Sequence, residues 1–190
     1  MANHVYSYFE IDFKTEEDCN KFAEWIGLDP KDENIPWMAR IEACCNIMMD
    51  NLYPDQEDTR QWRLDNVGAK WMYFDDVDRS TDSSIIINMT SAWDFPEGLF
   101  FRLSDFLRER YQGVTMQVTF EDEGYNFVGA AGSNQQFRDV EYHHPDFDEL
   151  NEEYKNDDDC WTEDFYKEMD NRKQMVLDEV LSFIQQDLSE

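Results

Sequence analysis

Residues 4–27 read HVYSYFEIDFKTEEDCNKFAEWIG, and within this stretch the hydrophobic period changes from two to that of a helix. Val5, Phe9, Ile11 and Phe13 fall on one side of an alternating run interrupted by Ser7, the pattern of a half-buried strand. Thr15 supplies a capping hydroxyl and Asp18 a carboxylate three residues on, the arrangement that opens a helix. Phe22, Trp25 and Ile26 then recur at helical spacing, and Gly27 stands where C-cap glycines end helices. The chain therefore opens with a strand feeding a helix, and the question is what the later strands make of it.

Working outward, a second helix is expected from Pro36 to about Leu52, with Met38, Ile41, Cys45, Met48, Met49 and Leu52 as its stripe. Residues 62–75 read as a turn feeding a strand, 75–84 as a polar, charged loop, and Ser84–Trp93 as the next strand. Pro96 suits a helix start, where its missing N–H costs nothing, and Phe100, Leu103, Phe106, Leu107 and Tyr111 give that helix a core face. Val114–Glu121 and Tyr125–Ala131 alternate as two strands joined by a tight Asp122-Glu123-Gly124 link. A further extended piece runs through Phe137 and Val140 to His143. The order β-α-(α)-β-β-α-β-β predicts an α+β domain over residues 1–140: a ferredoxin-like antiparallel sheet with helices on one face, the other face free for binding or dimerisation. Residues 141–190 are expected to form an acidic helical C-terminal extension packed on it, with Phe165, Met169, Val176, Val180, Phe183 and Ile184 as the stripe of a long helix.

Charge restricts the function. The 190 residues carry 16 Lys+Arg against 44 Asp+Glu, a net charge of −28 and a pI near 4.1. That argues against direct nucleic-acid binding and against anionic membrane surfaces. A composition 41% hydrophobic and 15% aromatic still demands a packed core. No apolar run approaches the roughly 18 residues of a membrane span, and the N-terminus lacks the pattern of a secretory leader. Cys19, Cys44, Cys45 and Cys160 show no CxxC spacing, so reduced cysteines in a cytoplasmic protein are expected.

One set of residues carries a family resemblance. Trp62-Arg63, Asn66, Gly68 and Lys70-Trp71 are followed by Ser91-Ala92-Trp93 and Pro96, then by Phe120-Glu121, Gly124, Phe127 and Gly129. This set resembles the YubB-type ferredoxin-like family of plasmid and phage proteins. The chain departs from that pattern with Val67 in place of Trp, Ala69 and Ser91 in place of Thr, and Asp94-Phe95 before the proline. The resemblance covers residues 60–130; it implies the same fold and a phage or mobile-element origin, and no catalytic residue.

Trp62, Trp71 and Trp93 with Arg63 and Lys70 form the candidate ligand- or partner-binding cleft. The alternative is that the tryptophans knit strand ends to the helical layer while the cations pair with nearby carboxylates. Asp75, Asp76, Asp78 and Asp82 begin like a calcium loop, but Thr81 and Ile87 stand where its glycine and bidentate glutamate belong. His143 and His144, adjacent in an extended segment, point opposite ways. With no phosphate loop, nucleophile elbow or metal-ligand spacing, neither cofactor nor metal is expected, and the chain does not read as an enzyme.

Residues 139–190 hold 18 Asp+Glu and 4 Lys+Arg, about half the net charge in about a quarter of the chain. Asp157, Asp158, Asp159, Glu163 and Asp164 are therefore candidates for an acidic partner surface. In one reading this is an interaction protein that mimics nucleic acid before a basic host protein. The rival readings are a small-molecule-binding or enzymatic domain using the tryptophan cleft, and a homodimer whose acidity is salt adaptation.

Overall fold

A computed structural model describes residues 3–28, 35–57, 59–124, 126–134, 136–141 and 162–187. Strand β1 (His4–Asp12) leads to helix α1 (Glu16–Trp25), whose first turn is capped as expected: the Thr15 hydroxyl oxygen accepts from the Asp18 amide. Helices α2 (Trp37–Leu52) and α3 (Arg60–Asn66) follow, then strands β2 (Met72–Thr81) and β3 (Ser84–Ala92). Helix α4 (Glu97–Arg110) precedes β4 (Thr115–Asp122), β5 (Phe127–Gly132) and β6 (Phe137–Glu141), and helix α5 (Glu163–Asp187) comes last.

The strands form one antiparallel sheet in the order β2-β3-β1-β4-β5-β6. With six strands this is not a plain ferredoxin sheet. On one face, Val5, Phe9 and Ile11 of β1 meet Phe22 of α1, Ile41 and Met48 of α2, and Leu99 and Leu103 of α4. Four phenylalanines cross this layer from β1 to β6. Phe9 lies 6.1 Å from Phe95, Phe95 stacks on Phe120 at 4.3 Å, and Phe120 lies 5.7 Å from Phe137.

Three expectations need correction. Helices do not cover one face alone: Val176, Val180 and Ile184 of α5 pack on Ala130, whereas its strand neighbour Ala131 faces the opposite core. Because successive strand residues point to opposite faces, α5 covers the second face over β5, and the open part of that face lies over β2, β3, β1 and β4. The expected turn at 62–75 instead begins with α3, a helix with no buried residue and hence no apolar stripe to read; Thr59 caps it by accepting from the Trp62 amide at 3.1 Å. The expected loop at 75–84 is mostly strand. Phe74 and Val77 are buried in β2, but register shifts at Phe74/Asp76 and Arg79/Thr81 break the alternation and bring charged residues forward.

Cys19, Cys44 and Cys45 are buried thiols that form no disulfide; Cys160, His143 and His144 lie outside the described residues. No helix among the described residues is long and apolar enough to cross a membrane.

The β5 strand lies so close to the phenylalanine row that a Cβ on Gly129 would stand 2.2 Å from Phe120 Cζ. Gly129→Ala is therefore expected to cost about 1–3 kcal/mol. Adding Phe120→Leu should recover part of that loss, a non-additivity that a denaturant double-mutant cycle would measure. Additive losses would show that the ring is not the obstacle.

Candidate functional site

The residues singled out in the sequence gather where two turns meet backbone to backbone. Gly68, at φ +91°, places its Cα so that a Cβ would lie 2.9 Å from the Glu97 nitrogen. A Cβ on Gly98 would lie 2.2 Å from the Asn66 oxygen, and the Leu99 amide donates to Val67 O at 3.3 Å. Asn66 is itself fixed: its side-chain nitrogen donates to Trp62 O at 2.9 Å and its carbonyl accepts from Tyr53 Oη at 3.1 Å. The end of α3 is thereby locked to the start of α4.

Around this junction the expected single cleft divides in two. Trp62, Arg63 and Trp71 line a hollow of about 200 Å³ with Cys45, Met49, Asp50 and Gln56. Trp62 meets Tyr53 edge-on at 5.4 Å, so in part it does knit the helical layer. Lys70 and Trp93 do not line that hollow. Lys70 Nζ lies 4.6 Å from the Trp93 ring centroid, and Arg60 Cζ approaches the same ring to 4.6 Å. No carboxylate among the described residues pairs with Lys70 or Arg60. Arg60 was not legible as a site residue, because only the short helix α3 carries it to Trp93.

Trp93 is the one non-glycine described at positive φ, 77°, and its side chain is 41% exposed. Left-handed backbone costs a bulky residue about 1–2 kcal/mol. Here its amide donates to Asn3 O at 2.9 Å, while Ser91 Oγ donates to Asp94 O at 2.8 Å.

A third feature, expected as an open face but with none of its residues singled out in the sequence, is the open part of the second sheet face. Tyr6, Tyr8, Asp75, Asn88, Thr119 and Glu121 line a hollow of about 200 Å³ there, bounded by Lys173 of α5. Tyr6, Tyr8 and Tyr73 are exposed. Tyr73 stacks on Trp71 at 5.6 Å, and Trp71 meets His4 edge-on at 5.5 Å. Burial, then the charge of Glu123 and more weakly those of Asp75 and Glu121, holds the Tyr6 phenol above its ordinary value. Burial and then Glu10 do the same at Tyr8. Asp75 accepts from Thr90 Oγ1 at 2.7 Å, and Lys173 Nζ stands 3.3 Å from Glu121 Oε2. The signal for this face was the alternation in β1, which sends the tyrosines away from Val5 and Phe9.

Of the acidic partner set, Glu163 and Asp164 stand exposed in the first turn of α5, where carboxylates also complement the helix dipole. Asp157, Asp158 and Asp159 lie outside the described residues. Asp75, Asp76 and Asp78 lie on β2 rather than in a loop, and no group of three metal-ligating side chains is placed to hold an ion among the described residues.

Two expected outcomes follow from this geometry. Trp93→Ala and Trp93→Gly both remove the stacked cations' partner, but only glycine relieves the backbone. The glycine variant should be more stable than the alanine variant by about 1 kcal/mol in thermal or chemical denaturation; equal stability would show that φ +77° is unstrained. At high pH, burial holds the Cys45 thiol at about 11 and the Tyr53 phenol at about 12, the latter opposed by Arg102. Both groups lose protons earlier when unfolded, from about 9 and 10. Stability is therefore expected to fall between about pH 9 and 12. Tyr53→Phe should flatten the part above pH 10 in denaturant titrations.

Comparison with known proteins finds no matching family model, no matching curated protein and no matching solved structure.

Proposed function

We propose that this chain is a non-enzymatic binding protein that takes a basic segment of a partner protein on the open part of its second sheet face. The observation that carries the reading is the pairing of exposed tyrosines Tyr6 and Tyr8 with the carboxylates of Asp75 and Glu121 around one hollow, with Tyr73 exposed on the same face beside it. Aromatic faces beside carboxylates suit Lys and Arg side chains, which gain from both ring quadrupole and charge. Lys173 already meets Glu121 at the rim, so an ammonium group fits that chemistry. The net charge of −28 supports steered, salt-sensitive association with a basic protein. It also opposes pairing two copies through this face.

The finer fold reading belongs to the same proposal. The order β2-β3-β1-β4 is what a βαββαβ unit of ferredoxin type produces, with β5 and β6 as an added hairpin. The YubB-type kinship, a phage or mobile-element origin, a cytoplasmic setting and nucleic-acid mimicry are retained as proposals. They rest on the resemblance and on the acidity.

The test is a calorimetric titration with an oligo-arginine peptide at low and high salt. Two tyrosine faces at about 0.5–1 kcal/mol each make Tyr6→Ser/Tyr8→Ser bind roughly tenfold more weakly. Glu16→Gln/Glu109→Gln, which removes two exposed carboxylates from the helical side, should bind nearly as the parent does. Equal weakening in both variants would mean that the acidity acts without a dedicated face and would refute the proposal.

A further inference from the structure

The geometry points to a second site of opposite preference: Arg60, Lys70 and Trp93 form a receptor for a phosphate monoester. This inference goes beyond the sheet-face reading and stands without it. Both cations lie 4.6 Å from one ring centroid, which caps their separation at about 9 Å, and their long flexible stems let both heads close on one phosphate at the ring. The chain carries 44 Asp+Glu, yet none of the described carboxylates neutralises either cation. Gathered at one indole, the two positive charges repel each other, and an anion that meets both removes that repulsion.

Phosphate suits the pair better than a carboxylate does. Its charge of nearly two matches two cations, and its several oxygens serve both the planar Arg fork and the Lys ammonium. The platform is also built in advance. Trp93 is held at φ +77° by its bond to Asn3 O, and Lys70 leaves a turn that Gly68 fixes against Glu97. The exposed indole beside the cations can accept the apolar part of the phosphate-bearing molecule. Carboxylates beyond about 8 Å are largely screened at physiological salt, and the carboxylate of the neighbouring Asp94 is engaged by the Phe95 amide at 2.8 Å.

The test follows the Trp93 indole N–H signal by proton–nitrogen NMR, assigned by its absence in Trp93→Phe. Inorganic phosphate, adenosine monophosphate, adenosine and acetate are titrated at constant ionic strength. Phosphate and adenosine monophosphate are expected to shift the signal saturably, and adenosine and acetate are not. A nucleotide at least about tenfold tighter than phosphate would assign the source as a nucleotide; equal affinities would assign the phosphate group alone. Arg60→Gln and Lys70→Gln should each weaken phosphate by about tenfold or more, while unmoved signals from the other tryptophans report an intact fold. No saturable shift, a matching response to acetate, or unchanged affinity in the doubly substituted protein would overturn the proposal.

Discussion

Two backbone segments approach each other at Gly68 and Gly98 more closely than side chains permit, and the candidate sites at this end of the sheet depend on that approach. A Cβ at Gly98 would stand 2.2 Å from the Asn66 oxygen, and one at Gly68 would stand 2.9 Å from the Glu97 nitrogen. Real Cβ atoms do not approach so closely, and the obstacle in both cases is backbone, which cannot rotate aside. The end of α3 therefore has one position relative to the start of α4. That position carries Trp62 and Arg63 into the hollow beside α2, and sends Lys70 and Arg60 to Trp93.

The sheet distributes the other tasks between its faces. One face is filled by a phenylalanine row running from β1 to β6 and by the stripes of α1, α2 and α4. The second face carries α5 over β5 because Ala130 and Gly132 leave room for a helix: Ile184 lies where a Cβ of Gly132 would be. Further across, β1 presents Tyr6 and Tyr8 and β2 presents Tyr73, side chains that stand exposed. Lys173 marks the boundary between the covered and open parts.

The opposing preferences of the two candidate sites are compatible with one strongly acidic chain. A field from 44 carboxylates sets the rate and salt dependence with which large charged partners arrive. Local recognition depends on the few groups within a screening length. At the sheet face those groups are tyrosines and carboxylates; at Trp93 they are a guanidinium and an ammonium without described carboxylate partners.

Local signals determined much of the fold by themselves. The alternation of β1, the Thr15 cap, the stripe of α2 and the periodicity of α4 and α5 are properties of neighbouring residues, so they were readable without a partner. Helix α3 was not readable, since it buries no side chain, and β2 was obscured because its bulges interrupt the period of two. The tryptophans and Lys70 were legible as unusual residue types, but Arg60 was not, and their division into a hollow and a cation-capped platform was not. Tyr6, Tyr8 and Tyr73 looked like ordinary strand residues until the pairing of β1 with β3 and of β3 with β2 set them on one surface. A one-dimensional pattern records which side of its own element a residue occupies; which elements share a face, and which of them a helix covers, is decided by packing between distant segments.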